Sequence, residues 1–372
     1  MMFTLACALI PAAMWLGLCL VPWRPWSTRE HLEADPSCSA ELGDITVLMP
    51  ARNEAGVIES TLDALQAQGA GLRIIVIDDQ STDETAKVAA AFPAVEVIRG
   101  QSLPPDWAGK LWALEQGRQQ VRTPLILLLD ADIVLRPGML ATLLRHKQRE
   151  QRQFVSLMAD LRRTSFWDGL LLPAFVYYFK LLYPFAVSNS RSRWVAAGAG
   201  GCILVDTAVL QRVGAFASLR DALIDDCALA RQIKQSGGRT WTGLSRDVVS
   251  MRPYGSLESI HRMVARSAFT QLGYSTLLLL VVTALFLVAY GAPLILLGSP
   301  QLWPWASLAM GAMWISYLPL LRYYRMPPWW ALLLPASAAL FLGMTWSSAI
   351  QYWRGVRSEW KGRIYGTGSP NA

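Results

Sequence analysis

Three stretches of this chain contain no Asp, Glu, Lys or Arg: residues 1–23, 267–321 and 326–353. This feature limits the fold more tightly than any other. A helix that crosses a bilayer needs about 20 consecutive apolar residues. The first stretch has room for one span, the second for two with a turn near Gly298-Ser299-Pro300, and the third for one. A charged, patterned middle lies between the first two, so the chain reads as a soluble domain held by membrane segments. The overall composition, 53% hydrophobic and 16% charged, averages over these unlike parts.

The N-terminal block has no basic residue ahead of its apolar core and no small-x-small site at its end, the pattern of an uncleaved anchor. Arg24 and Arg29 follow it directly, which by the positive-inside rule puts the next region in the cytoplasm. The net charge of +7 does not point to nucleic acid. Many basic residues flank the apolar blocks instead (Arg262, Arg266, Arg322, Arg325, Arg354, Arg357, Lys361, Arg363), where anionic lipid headgroups would meet them. The five cysteines show no close spacing, which argues against a disulfide framework or a zinc site and fits a reducing compartment. Topology carries a conflict. Four spans would put the tail 354–363 outside, whereas its positive charge puts it inside. One late segment would then re-enter or lie flat, and Pro335 marks residues 329–349 as that segment.

Residues 24–43 read as a polar linker, after which strand and helix patterns alternate. Strands are expected at 45–49, 73–77, 95–98, 125–129 and 202–205, and helices at 56–68, 82–91, 110–120 and 137–149. Alternation of this kind implies a parallel, doubly wound sheet. Ligands in such sheets sit beyond the carboxyl ends of the strands. Three polar clusters stand just there: Pro50-Ala51-Arg52-Asn53-Glu54, Asp78-Asp79-Gln80-Ser81-Thr82-Asp83 and Asp130-Ala131-Asp132. The last follows the apolar run Leu125-Ile126-Leu127-Leu128-Leu129. Buried carboxylates are costly unless paired or metal-bound, so Asp130 and Asp132 are candidate ligands for Mg2+ or Mn2+, which take one or two carboxylates plus substrate phosphates.

Plainer roles compete. Ser81 and Glu84 can form a capping box around the helix start, and Asp83 can simply favour the helix dipole. Lys110 is either a solvated first-turn lysine or, after the flexible Leu103-Pro104-Pro105 loop, a phosphate contact. Residues 166–187 are rich in aromatic and aliphatic side chains, but Asp168, Lys180, Pro173 and Pro184 break the pattern. An interfacial, membrane-lying segment fits; a buried helix pair is the alternative. Asp225-Asp226 starts a helix that ends near Gly237-Gly238. The pair suits a helix N-terminus, or holds a catalytic base raised by its neighbour. Gly198-Ala199-Gly200-Gly201 lacks a phosphate-loop Lys-Ser/Thr and reads as tight packing before a strand. Residues 260–271 form a basic amphipathic helix leading into the membrane block.

These motifs, in this order, resemble glycosyltransferase family 2 over roughly residues 44–270. Within it, Leu103-Pro104-Pro105-Asp106-Trp107-Ala108-Gly109-Lys110-Leu111-Trp112 and Leu223-Ile224-Asp225-Asp226-Cys227-Ala228-Leu229-Ala230 look like the ceramide-glucosyltransferase-like branch, most of all its hopanoid-associated bacterial members. The resemblance implies a GT-A catalytic domain over 44–266 (with the interfacial segment 166–187), an N-terminal anchor at 1–23, a membrane region at 267–353 and a basic tail at 354–372. It implies a multi-pass protein of the bacterial inner membrane, catalytic domain cytoplasmic, that inverts a sugar from a nucleotide-sugar donor, UDP-linked, onto a lipid hydroxyl with Mg2+ or Mn2+. Carried over, Pro50, Ala51, Arg52, Glu54 and Asp79 hold the base and ribose, and Lys110 lies near the donor. Asp130 and Asp132 bind the metal–diphosphate, and Asp226, or else Asp225, deprotonates the acceptor. The polymer-forming members' Gln/Arg-x-x-Arg-Trp motif is missing: the chain reads His261-Arg262-Met263-Val264-Ala265-Arg266-Ser267, which favours single transfer and leaves Arg262 and Arg266 as phosphate or interface candidates. The implied acceptor is a hopanoid; sphingolipid-type and polyprenyl-phosphate acceptors are alternatives. A sugar-nucleotide pyrophosphorylase would need a Gly-rich loop after the first strand, which is lacking. A non-catalytic lipid-binding protein would have no need of both acidic pairs.

Overall fold

A computed structural model describes residues 2–360 and 363–366. Its centre is one eight-stranded sheet built from β1 (Ile45–Ala51), β2 (Arg73–Asp78), β3 (Val95–Arg99), β4 (Leu125–Leu129), β5 (Ile133–Leu135), β6 (Phe154–Leu161), β7 (Cys202–Asp206) and β8 (Thr240–Ser250). The strand order is β3-β2-β1-β4-β7-β6-β8-β5. β1, β2, β3 and β4 pair in parallel, each return being made by a helix. Here the expectation of a doubly wound sheet holds. Beyond β4 it fails. β7 runs antiparallel to both β4 and β6, β6 and β8 are parallel, and β5 closes the edge antiparallel to β8. The sheet is therefore mixed. The physical reason lies in the connection: after the helix Phe166–Leu182 the chain re-enters the sheet through the irregular stretch before Cys202 at the edge where β6 ended, so β7 pairs antiparallel to β6.

Alternate residues of the strands feed two cores. Val47, Met49, Val76, Leu127 and Leu129 pack beneath the helices Ile58–Gln66 and Met139–Arg149. Leu48, Ile75, Ile77, Ile126 and Leu128 pack against Leu111, Leu114, Leu229 and Ile233 from the helices Gly109–Arg118 and Asp225–Gln235. Burial on both faces explains the unbroken apolar run of β4.

Several local expectations need correction. The second helix starts at Thr85, not residue 82, and Ser81 does not cap it: Glu84 stands at the N-cap position, Asp83 before it accepts from the Thr85 amide at 3.0 Å, and the Ser81 hydroxyl accepts from the Asn53 amide at 3.1 Å. Phe166–Leu182 is one helix that runs through Pro173, started by a reciprocal Ser165–Asp168 capping box. Leu170, Leu171, Leu172, Val176 and Tyr177 are buried in a third core with Trp15, Met313 and Tyr317. The basic helix of 260–271 is two helices, Leu257–Ala265 and Ala268–Gln271.

Among the described residues, two helical stretches are long and apolar enough to cross a membrane, Thr276–Leu296 and Pro328–Trp353. The turn near Gly298 separates the first from a further helix, Trp303–Tyr323. Pro335 does not break the last stretch: it stands in the first turn of Leu334–Trp353, where its missing amide costs nothing. The N-terminal helix, Met2–Leu20, packs along Trp303–Tyr323, and Trp15 Nε1 donates to the Ala289 carbonyl at 2.8 Å. Of the basic tail, residues 361–362 and 367–372 lie outside the described residues.

Candidate active site

The three polar clusters meet at one edge, as the strand-end rule requires. The Asp79 amide donates to the Ala51 carbonyl at 2.8 Å, and Arg52 Nη1 donates to the Asp79 carbonyl at 2.6 Å. The Thr82 amide donates to Asn53 Oδ1 at 2.8 Å, and the Glu54 amide to Thr85 Oγ1 at 2.8 Å. Asn53 makes this turn with φ +53°, a conformation asparagine adopts more readily than most residues. Pro50 and Ala51 end β1, and Asp79 is buried beneath the turn. Thr61 Oγ1 donates to the Ala131 carbonyl at 2.9 Å and fixes the third cluster to the same edge.

Asp130 and Asp132 leave β4 toward different partners. Asp130 Oδ1 accepts an ion pair from Lys110 Nζ at 2.7 Å. Asp132, 5% exposed, accepts from Ser250 Oγ at 2.6 Å and pairs with Arg252 Nη2 at 3.2 Å. The same guanidinium holds Glu54 at 3.0 Å. Burial works to raise Asp132, but Arg252 and the Ser250 hydroxyl outweigh it and hold the carboxyl below the usual range. Burial also raises Asp130, and the Lys110 ammonium only partly offsets it.

The second acidic pair arrives from the far half of the sheet. Asp225 and Asp226 open the helix Asp225–Gln235, and Asp226 Oδ1 accepts from the Cys227 amide at 2.7 Å. Its partner surface is the glycine stretch before β7. A Cβ on Gly198 would stand 2.5 Å from the Asp226 carbonyl, so only glycine lets the two backbones approach, as the sequence reading proposed. Burial and the adjacent Asp225 carboxylate push Asp226 up to about 7. Lys110 joins the two pairs: its Nζ lies 4.0 Å from Asp225 Oδ2 as well as against Asp130. Burial would lower it, yet Asp130, Asp225 and Asp226 together hold the ammonium well above the usual lysine range. It is neither a solvated lysine nor, in this arrangement, free to leave. The cleft among Lys110, Asp130, Gly200, Asp225 and Asp226 measures about 10 Å³, roughly the room of one water.

Arg252 and Ser250 were not found from sequence. Both sit at the carboxyl end of β8, the same position that singled out the other clusters, but the strand Thr240–Ser250 has no clean alternation to reveal it. The remaining arginines divide. Arg266 is exposed; burial raises the nearby Tyr254 hydroxyl above the usual tyrosine range, and Arg252 and Arg266 only partly offset it. Arg262 is exposed and turns to Glu258 at 3.9 Å.

The Glycosyltransferase like family 2 model matches residues 43–269, more than half of the chain. The chain belongs to this family, and its mixed α/β sheet is of the GT-A type. A 4,4'-diaponeurosporenoate glycosyltransferase of Staphylococcus aureus is 32% identical over 127 residues, 34% of this chain and 34% of that one. The match thus spans about a third of that relative's length. The mannosyltransferase PcManGT of Pyrobaculum calidifontis, solved with GDP-Man and Mn2+, is similar in fold, with a TM-score of 0.55 and 19% identity over 93% of this chain and 98% of that one.

Proposed function

We propose that this glycosyltransferase is a multi-pass enzyme of the bacterial inner membrane that transfers one sugar, with inversion, from a UDP-sugar to a lipid hydroxyl. The observation that carries the reading is the meeting of two acidic pairs at one sheet edge, one neutralised by cations and one with a carboxyl raised to about 7. In this reading residues 44–266 are the catalytic domain, with 166–187 toward the bilayer interface, and 1–23 and 267–353 are its membrane parts. Pro50, Ala51, Arg52, Glu54 and Asp79 form the wall for the nucleoside. A lipid acceptor is supported by the two apolar helices and by similarity to an enzyme named for a carotenoid acid. A hopanoid-type acceptor, and the link to ceramide-glucosyltransferase-like enzymes, rest on the sequence motifs.

Transfer forms a bond from the acceptor oxygen to the anomeric carbon and breaks the bond from that carbon to the diphosphate. The acceptor proton goes to Asp226, whose raised carboxyl is matched to proton transfer near neutral pH. The one-water space beside it is the size of the incoming hydroxyl. Asp225 is the alternative base. Lys110 holds positive charge between the pairs, where the leaving diphosphate would develop its negative charge. Among the described residues there is no cluster of three or more His, Cys, Asp or Glu that could hold a metal ion. Asp130 and Asp132 nevertheless supply the one or two carboxylates that Mg2+ or Mn2+ takes when phosphates complete its shell, so the donor set fits such an ion. When bound, it would neutralise the diphosphate without proton transfer. Arg252 competes with it for Asp132.

The test is incubation of the detergent-solubilised protein with a panel of UDP-sugars and a bacterial lipid extract, with products read by mass spectrometry. A glycosylated lipid that vanishes with Asp226→Asn supports the reading, and its mass identifies hopanoid, sphingolipid-type or polyprenyl-phosphate acceptors. Undiminished turnover by Asp226→Asn removes that residue as the base. Absence of both lipid product and donor hydrolysis sinks the enzyme reading in favour of a lipid-binding protein.

A further inference from the structure

A second cavity lies at the opposite edge of the sheet from the carboxylates, where β6 and β8 begin. It has a volume of about 470 Å³, within the range of small-molecule sites. Its wall carries Arg152, Arg191, Arg193, Lys234 and Arg239 and, among the described residues, no acidic one.

These cations are held mostly by neutral groups. Lys234, 4% exposed, donates to the Val195 carbonyl at 2.7 Å and the Val187 carbonyl at 3.4 Å. Arg152 Nη1 donates to the carbonyls of Asn189 at 2.9 Å and Thr240 at 3.0 Å, and its buried Nε has no acceptor among the described residues. Arg239 Nη1 donates to the side-chain oxygen of Gln151 at 3.4 Å. Glu150 approaches Arg152 at 3.9 Å but lies closer, at 3.4 Å, to Arg149. Arg191 and Arg193 are exposed at the rim. Carbonyls and amides position cations without cancelling their charge, and like charges gathered in a half-buried space repel. Burial and Arg152 together pull Lys234 down to about 8. Lys234 alone would be explained by the helix end it sits on; the four arginines around it are not. What compensates such a cluster is an anion with several acceptor oxygens, and phosphate matches the donor forks of arginine.

We propose that this cavity is a binding site for a phosphate-bearing anion, separate from the carboxylate site. The volume exceeds what a lone phosphate fills and suits a diphosphate or the phosphate of a lipid headgroup. The site is also wired to the other edge. The helix Asp225–Gln235 has Lys234 in its last turn and the acidic pair in its first, and Gly198, five residues beyond Arg193, packs on Asp226.

The full-length protein in detergent is titrated calorimetrically, in the presence of EDTA and 150 mM salt (roughly the physiological ionic strength), with inorganic diphosphate and, separately, with short-chain phosphatidylglycerol. Short-chain phosphatidylcholine is the charge-neutral comparison. Saturable binding of diphosphate alone identifies a free-phosphate site, and saturable binding of phosphatidylglycerol but not phosphatidylcholine identifies a headgroup site. In either case Arg191→Gln/Arg193→Gln, both at exposed positions and so harmless to folding, weakens binding at least tenfold. Lys110→Met, at the opposite edge, leaves it unchanged. Saturation by neither anion overturns the proposal. So does binding that is unaffected by the double substitution, or that is lost with Lys110→Met.

Discussion

The two acidic pairs of this site are built from the same residue type and behave oppositely. Asp130 and Asp132 stand one residue apart at the end of a buried strand and are separated at once, one to Lys110 and the other to Arg252 and Ser250. Each has a cation within hydrogen-bond reach. Asp225 and Asp226 are adjacent at a helix start and share only the far side of Lys110, at 4.0 Å from Asp225. In the first pair Asp132 is thereby kept as fixed negative charge, while Asp130, raised by burial, leans on Lys110. In the second, one carboxyl is pushed to where it exchanges a proton near neutrality. Neighbouring cations, more than the carboxylates themselves, decide which pair serves as an electrostatic clamp and which handles protons.

The comparison is most strongly tested by Asp226→Asn. Turnover of the purified enzyme is expected to fall by about 10²–10⁴-fold, the range for loss of a general base. Donor affinity, measured by titration with the UDP-sugar, should stay within a few-fold, whereas Asp132→Ala should lose both. Equal loss of donor binding in the two variants would erase the division of labour. Next in size is Arg252→Met. It strands Asp132 without its cation, and on the order of 2 kcal/mol of stability should be lost, below the fully buried value because the guanidinium is partly exposed. The denaturation midpoint reports it, and Asp132→Asn added to Arg252→Met should recover part of the loss.

The pH dependence gives a third test. With Asp226 raised to about 7, kcat/KM should climb through pH 7 and level off above, and Asp225→Asn, by removing the like charge, should move the midpoint down. Stability carries the opposite sign. Between about pH 4, where a free Asp titrates, and pH 7 the folded protein keeps a proton that the unfolded chain has released, so stability falls as pH rises through that window. Asp226→Asn should flatten this fall in thermal melts. The smallest effect is expected from Gly200→Ala. Its Cβ would stand 3.3 Å from Lys110 Nζ and 3.4 Å from Asp226 Oδ2, a tight fit that the end of a flexible side chain can relieve. A change of about 1 kcal/mol or less in the melting free energy is the expected outcome.

The contrast between the pairs also marks what the sequence could reveal. β1 to β4 were legible because each is a short apolar run followed by a polar turn, and the strand-end rule then grouped Arg52, Asp79, Asp130 and Asp132 correctly. The glycines before β7 were legible too, since close backbone approach has a residue signature. The partners were not. Lys110 stands on a helix ahead of the strand that ends at Asp130, with no spacing that pairs the two, and Arg252 sits after a strand whose buried and half-buried residues follow no simple period. The reversal of β7 was hidden for a related reason: strand direction is set by the connection before it, and residues 189–201 look like any other irregular loop. Ser81 and Glu84 mimicked a capping box, but the Asn53 turn claimed Ser81 first.

That reversed strand has an evolutionary consequence. Along the parallel half, the segments at the active edge are those leaving β1, β2 and β4, each tied to its neighbours by backbone hydrogen bonds. At β7 it is the incoming segment that reaches this edge: its Gly201 carbonyl accepts from the Asp130 amide at 3.1 Å, and its Gly198 leans on the helix of Asp225 and Asp226. Substitutions can accumulate at the exposed start of that loop, at Arg191, Arg193 and Trp194, but not at Gly198, so the freedom to diversify on this side is set back from the carboxylates.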